Sequence, residues 1–255
     1  MILRRVIAHF RKQEWTAIGL DFLIVVVGIL IAFQITAWND ARRDAIRERQ
    51  YLARIAAELD ESISDIEHAI SRTKERTAYG EFLIRSIDDP GLVRDDPGRF
   101  MKAIAFAGYT LSPDIRSQTF DEIKSVGDLS LLRDEKLRFD LMEFYTTIHG
   151  EGQWNYIREL RQTEYIKRSA GILTYEQLAR ISGSDDIPPA RVEDAVAAHA
   201  RMLERPAFVE WLPIMTDRTD DGVIYADWLH AAKELRVRIG GVRGVVAANG
   251  LKGAP

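Results

Sequence analysis

The chain has 255 residues, with 35 Lys and Arg against 39 Asp and Glu, a net charge of −4, and no cysteine. The lack of cysteine excludes disulfides and thiolate metal sites. Residues 40–255 are more acidic than the chain as a whole, which argues against a nucleic acid partner because phosphate binding needs a basic face. They are numerous enough to bury a sizeable core.

The stretch from Trp15 to Trp38 is the longest apolar segment, and no charged side chain occurs from Phe22 to Asn39. A helix over these 24 residues is about 36 Å long and covers a hydrocarbon core of about 30 Å. A Trp at each end suits the two headgroup layers of a bilayer. We therefore predict one transmembrane helix here. The alternative is a buried core helix, because the strictly apolar run that ends at Phe33 has only 12 residues.

Residues 1–14 are basic, and we predict a cytoplasmic amphipathic segment that lies on the membrane surface. A frayed basic tail is the alternative. Residues 34–39, where the apolar stretch ends, offer no small-x-small cleavage site, so we expect the anchor to stay uncleaved. The expected membrane-interface anchors are Arg4, Arg5, Arg11 and Lys12 before the helix, and Trp15 and Trp38 at its two ends.

The orientation is not decided by counting basic residues, because four arginines lie within residues 40–49. Long translocated domains weigh little in the positive-inside rule, and the first residues usually dominate. We therefore predict a cytoplasmic N-terminus and a body, residues 40–255, outside the cytoplasm.

One face of the predicted membrane helix combines an acid with small residues. At 100° per residue, five side chains fall within about 40° of one line: Asp21, Gly28, Ala32, Ile35 and Asn39. A small-xxx-small pair lets a second helix approach closely, and an acid inside a membrane segment usually faces a partner or water. We predict a helix–helix interface along this stripe. In the alternative, Asp21 simply reaches the headgroup layer.

The chain has neither Gly nor Pro between Gly28 and Gly80. We therefore predict a long stalk helix over 39–88, either continuous with the membrane helix or capped afresh by Asn39 or Asp40. Its apolar positions alternate by threes and fours, as in an amphipathic helix or a coiled-coil seam. They are Leu52, Ile55, Leu59, Ile63 or Ser62, Ile66 and Ile70.

The rest of the body, residues 89–248, is predicted to be helical, because no segment alternates apolar and polar residues with β-branched enrichment. The predicted fold is all-α, an N-terminal transmembrane helix followed by an extracytoplasmic bundle of long helices. Thr119–Glu122 and Thr174–Gln177 are read as capping boxes, and Gly127 as a helix stop. Residues 249–255 are predicted to be a disordered tail.

Two further helix faces in the body are predicted to be buried. The first carries Leu137, Leu141, Tyr145 or Phe144, Ile148, Tyr156 and Leu160. The second carries Tyr225, Trp228, Leu229, Ala232, Leu235 and Ile239.

Several stretches resemble an uncharacterised bacterial family of single-span membrane proteins, catalogued as domain of unknown function 6090. They are the basic N-terminus, Ala17–Asp21, Val25–Gln34, Trp38–Asp40 and Thr119–Leu129. The resemblance covers nearly the whole chain and implies a single-pass protein of the bacterial inner membrane. In that membrane the orientation predicted above puts residues 40–255 in the periplasm. The resemblance implies no activity, ligand or catalytic residue.

Catalytic and cofactor motifs give no positive prediction. The sequence lacks a G-x-S-x-G pattern and any phosphate-cradling loop after a strand. Asp65-x-x-His68 and Asp227-x-x-His230 each have half the spacing of a bundle di-metal site, but both histidines fall on faces predicted to be solvated. We therefore expect no cofactor, no metal and no enzymatic activity, and the sequence identifies no small-molecule ligand.

Two functions remain. The first is a membrane-anchored, oligomeric scaffold or interaction module, bound to the bilayer and to a second copy or another membrane protein. The second is a periplasmic ligand-sensing bundle, which would need a separate cytoplasmic partner because residues 1–14 are too short for an output domain. A deep polar pocket in the body would favour the sensor, and a flat apolar patch the scaffold.

Overall fold

A computed structural model describes residues 15–150, 152–182, 190–216 and 221–252. Within these ranges the chain is helical and contains no strand, which confirms the all-α prediction. The helices are α1 Trp15–Asp88, α2 Gly91–Asp95, α3 Pro97–Phe106, α4 Gln118–Val126, α5 Glu135–Gly150, α6 Gly152–Ser169, α7 Tyr175–Ser182, α8 Val192–Leu203, α9 Pro206–Val209, α10 Leu212–Thr216 and α11 Asp221–Lys252, with a 3-10 turn at Asp128–Leu131. The basic segment 1–14, with its four anchoring side chains Arg4, Arg5, Arg11 and Lys12, lies outside the described residues.

The chain forms two compact units, residues 1–51 and residues 52–255. In the first unit, α1 passes through Asn39 and Asp40 without a break, so neither residue caps a new helix. The absence of Gly and Pro after Gly28 explains this continuity, because nothing in the sequence interrupts the hydrogen-bond ladder. We refer to the second unit as the body.

The predicted seam of α1 is buried within the body. Leu52, Ile55, Leu59 and Ile66 are at most 1% exposed. Ser62, the alternative given for Ile63, is fully buried while Ile63 is half-buried. Only at the end of the seam is the prediction wrong, because Ala69 is fully buried and Ile70 is half-buried. Because the chain's own core covers this seam, it is not available as a coiled coil between copies.

Two helices run antiparallel to α1 in the body. Ion pairs join α11 to α1 through Lys233–Glu67 at 2.6 Å and Arg236–Asp60 at 2.7 Å. Contacts join α4 to α1 through Thr119–Glu58 at 3.0 Å and Glu122–Arg54 at 2.6 Å. In both cases the residue number on α1 falls as the number on the partner helix rises. Exposed pairs of this kind add about 0–1 kcal/mol each, so they fix the register more than the stability.

A second apolar cluster lies at the far end of α1. It joins Phe82 and Leu83 of α1 to buried side chains of α2, α3, α6, α8, α9 and α10. Tyr165 of α6 donates its hydroxyl to the carbonyls of Ala103 and Ile104 at 3.3 and 3.0 Å. A Cβ added to Gly108 would lie 2.0 Å from the Tyr165 ring, so only glycine allows this close approach.

The first predicted capping box is wrong. α4 begins at Gln118, one residue before Thr119, and Ser117 makes no capping bond. Instead, Glu58 of α1 accepts hydrogen bonds from the Thr119 N–H and hydroxyl, and Glu122 pairs with Arg54. The orphan donor at the start of α4 is thus satisfied by another helix.

The second long apolar face was also predicted wrongly in its latter half. Leu137, Leu141 and Tyr145 of α5 are buried, but Tyr156 and Leu160 of α6 are 66% and 49% exposed. Glycines 150 and 152 flank the junction of α5 and α6, and the stripe of α5 does not continue into α6.

Other boundaries agree with the sequence more closely. Gly127 ends α4 with φ of +79°, and Thr174 and Gln177 exchange the two hydrogen bonds of a capping box at 3.0 and 3.3 Å. The tail prediction is wrong in part, because α11 extends to Lys252. On α11 the predicted face is buried at Tyr225, Trp228, Ala232, Leu235 and Ile239, and half-buried at Leu229.

Candidate functional site

The apolar part of α1 is the most unusual surface of the described chain. The helix is long and apolar enough to cross a membrane, and none of its most apolar window is buried. Twelve large apolar side chains between Leu20 and Trp38 are exposed, among them Phe22 at 70% and Phe33 at 67%. The alternative of a buried core helix is therefore not supported, because none of this window is buried among the described residues.

The magnitude of this exposure favours a lipid environment. A large apolar side chain left in water loses about 1.5–3 kcal/mol of hydrophobic stabilisation. Even at the lower value, twelve of them lose roughly 20 kcal/mol. Whole domains are stable by only about 5–15 kcal/mol. An isolated helix with this surface is therefore poorly suited to water and well suited to hydrocarbon.

Every member of the predicted stripe lies on the exposed surface of this helix. Asp21, Gly28, Ala32, Ile35 and Asn39 are all exposed. A Cβ added to Gly28 would meet no described atom within 4 Å, so no residue that the structure describes occupies the groove that this glycine leaves. The stripe thus keeps the geometry that close helix packing needs.

The polar side chains near the end of the apolar segment are satisfied locally. Thr36 donates its hydroxyl to the Ala32 carbonyl at 3.0 Å, so no exposed hydroxyl hydrogen remains. The Arg42 guanidinium lies 6.0 Å from the centre of the Trp38 ring, at the outer limit of a cation–π contact. Together, Trp38 and Arg42 form an amphipathic end typical of a headgroup layer. Trp15 begins α1, and its side chain lies outside the described set.

In the body, an open groove of about 850 Å³ follows α11 and the start of α5. Its apolar lining consists of Val237, which is 76% exposed, together with Gly241 and Val242. Lys233 and Glu234 stand at its edge. A broad apolar groove with a charged rim is typical of an interaction surface.

A smaller pocket of about 230 Å³ lies between α1 and the loop after α3. Its walls are Arg72, Glu75, Arg76 and Tyr79 of α1, and Phe106, Tyr109, Thr110 and Leu111. The four α1 residues have the spacing i, i+3, i+4, i+7, which puts them on one helix face. That spacing was visible in the sequence, but the loop opposite it was not, so the pocket was missed.

The histidine pairs considered for a metal site are not assembled. No group of three or more metal-ligating side chains occurs among the described residues. His68 is exposed, and His230 pairs with Glu234 at 3.4 Å. The sequence also has an acidic stretch at Asp217–Asp221, which lies almost wholly outside the described ranges.

Comparison of the chain with protein-family models, with curated proteins and with solved structures gives no match. The resemblance to domain of unknown function 6090 therefore stays a prediction.

Proposed function

We propose that this protein is a membrane-anchored helical interaction module of the bacterial inner membrane. In this proposal residues 15–38 cross the bilayer, residues 1–14 are cytoplasmic, and the body is a periplasmic helical bundle. One observation carries it: the apolar segment of α1 is wholly exposed, while the body has an apolar core of its own. A segment that the body does not need for folding is free to serve as an anchor.

The partners in this proposal are the lipid bilayer and a second copy of the chain. The stripe from Asp21 to Asn39 would pack against the same stripe of the second copy. Contact at Gly28 and Ala32 would let the two backbones approach, and Asp21 would donate or accept a hydrogen bond across the pair. The buried seam of α1 at Leu59 and Ile66 supports assigning association to the membrane stripe, because that seam is already occupied.

Cysteine cross-linking in native membranes tests this interface, because the natural chain contains no cysteine. Ala32→Cys places a thiol on the stripe, and Leu30→Cys places one at nearly the same depth on the opposite face. We expect an oxidant to produce a covalent dimer of the Ala32→Cys variant and little of the Leu30→Cys variant. Equal dimer from both variants, or from neither, would contradict the proposed stripe.

Second substitutions in the Ala32→Cys chain rank the contacts. Gly28→Leu should reduce the dimer most, because it forces apart backbones whose close packing is the main attraction in lipid. Asp21→Leu should reduce it less, by a hydrogen bond of about 1 kcal/mol. Leu23→Ala, on the opposite face, should change it little.

A periplasmic ligand sensor is the second candidate, and one observation favours it. The pocket lined by Arg72, Glu75, Arg76 and Tyr79 is partly enclosed and combines charged side chains with an apolar wall, as ligand sites commonly do. The larger groove along α11 is open and apolar and favours the interaction module.

A further inference from the structure

We propose that the pocket between α1 and the loop after α3 binds a small aromatic carboxylate. The carboxylate would pair with Arg72 and Arg76, and the ring would lie against Phe106 and Tyr109. Such binding requires neither membrane insertion nor association of copies, so it stands or falls independently of the interaction module.

The cationic wall of the pocket comes from one face of α1. Arg76 is 4% exposed and lines the cavity, so its guanidinium is held in place by the body. Arg72 lies one turn earlier, and its side chain is 66% exposed. Planar guanidinium groups suit bidentate pairing with a carboxylate. One buried and one exposed arginine therefore border the same cavity.

A carboxylate of the chain itself already occupies this wall. Glu75 accepts a hydrogen bond from Arg72 at 2.8 Å and another from the Tyr79 hydroxyl at 3.0 Å. The bond from Arg72 is the main cause that lowers the pKa of Glu75, and the charge of Lys102 lowers it further. Burial raises the pKa of the Tyr79 hydroxyl, and the nearby charge of Arg99 lowers it. The wall thus holds a carboxylate in its ionised form at neutral pH.

Exchange of Glu75 for a ligand carboxylate would cost little. The Arg72–Glu75 pair is half-exposed, and ion pairs of that kind contribute little to stability. Glu75 is attached to the helix and lies on its surface, whereas a free carboxylate can enter the cavity towards buried Arg76. The pocket can therefore exchange an internal anion for an external one.

The other wall selects the body of the ligand. Phe106 and Tyr109 are in edge-to-face contact at 5.8 Å, and Leu111 continues the apolar surface. An aromatic ring gains about 0.5–1.5 kcal/mol from such partners beyond its buried area. The volume of about 230 Å³ lies below the usual range for drug-sized ligands, so the occupant is a single-ring compound.

Isothermal titration of the full chain in lipid nanodiscs with benzoate tests the proposal, with empty nanodiscs as the blank. We expect saturable binding with a Kd of about 1 mM or tighter. Arg72→Gln should weaken benzoate binding about tenfold by removing a charge-assisted hydrogen bond. Glu75→Gln should tighten it, because the competing carboxylate is gone. Arg94→Gln, an exposed arginine on α2 outside the pocket, is the matched control and should change nothing.

Benzyl alcohol, which keeps the ring and lacks the charge, should bind much more weakly than benzoate. The proposal is overturned if benzoate shows no saturable binding, if Arg72→Gln and Arg94→Gln bind it equally, or if benzyl alcohol binds as well. Glu75→Gln preserves the shape of the side chain, so a gain of affinity in that variant cannot come from misfolding. Far-UV circular dichroism of each variant checks that the helices persist.

Discussion

The Glu58 carboxylate of α1 lies 3.0 Å from the backbone nitrogen of Thr119 in the first turn of α4. Thr119 is fully buried, and its hydroxyl also donates to Glu58. The residue that would normally cap the helix, Ser117, donates instead to Asp121 at 2.6 Å. Glu58 therefore acts as the cap of α4 from a position 61 residues away.

Replacing Glu58 with Ala should destabilise the body, because it leaves the buried Thr119 N–H without its acceptor. Loss of a helix cap costs about 1 kcal/mol, with a range of about 0.5–2. In a chain of this size we expect the Tm to fall by about 2–4 °C. Thermal unfolding followed by circular dichroism, with the full chain in detergent, measures the change.

Glu143→Ala is the matched control for this prediction. Glu143 is an exposed glutamate inside α5, so the change in helix propensity is the same and no buried donor is involved. A Tm loss in Glu143→Ala as large as that in Glu58→Ala would show that the cap contributes nothing of its own.

Two buried tyrosines should respond in opposite directions to loss of the hydroxyl. Within the described part of the chain, the Tyr145 hydroxyl has no hydrogen-bond partner, although its ring stacks on Phe120 at 4.6 Å. Burial, with nearby Glu58 and Asp121, raises the pKa of Tyr145. An unsatisfied buried hydroxyl costs about 1–3 kcal/mol. Tyr145→Phe should therefore raise the Tm of the full chain.

Tyr165→Phe is the companion variant, because its hydroxyl donates to the carbonyls of Ala103 and Ile104. Its removal should lower stability by about 0.5–1.5 kcal/mol. The two variants delete the same atom from equally buried rings. The difference between their changes in Tm therefore isolates the contribution of the hydrogen bond. A lower Tm in Tyr145→Phe would mean that its hydroxyl is satisfied after all.

His199 should make the body less stable in mild acid. It is buried, its Nε2 donates to the Ser86 carbonyl at 2.9 Å, and its ring packs edge-on against Phe100. Burial lowers the pKa of His199, and the bond to Ser86 opposes that shift without cancelling it. The unfolded chain therefore binds a proton more readily than the folded one. Stability is complete above the ordinary pKa of about 6.5 and falls as the pH drops below it.

The measurement is the Tm of the full chain at about pH 7.5 and about pH 5.5, on either side of the ordinary histidine pKa. His199→Gln keeps a donor for Ser86 and cannot titrate, so it should lose less stability between the two pH values. His230→Gln, at an exposed position, should behave like the natural chain. If all three proteins lose stability equally, His199 is not the group responsible.

Local patterns predicted the helices well and their partners poorly. The course of α1 followed from the lack of Gly and Pro after Gly28, since continuity of a helix is a local property. The cap of α4 did not follow, because Thr119–Glu122 matches a local motif while the real acceptor is Glu58. Tyr156 and Leu160 were wrongly predicted to be buried. The buried face of α5 does not fix which face of α6 is buried, because the helix is interrupted at 150–152.

The same distinction applies to the candidate sites. The apolar segment and its stripe are properties of one helix, so the sequence alone gives their members. The pocket needs Arg72 and Arg76 of α1 together with Phe106 at the end of α3 and Tyr109 of the loop that follows, about thirty residues later in the sequence. No periodicity relates the two walls, because only the packing of α3 against the rest of the body brings them together.

The most direct test of the proposed membrane anchor is a fusion of alkaline phosphatase, which is active only outside the cytoplasm, after Pro255. Phosphatase activity is assayed in the membrane pellet and the supernatant after an alkaline carbonate wash. We predict active enzyme that stays in the pellet, because an uncleaved helix over 15–38 crosses the bilayer with its N-terminus in the cytoplasm. An inactive fusion in the pellet would contradict the orientation, and active enzyme released into the supernatant would contradict the anchor itself.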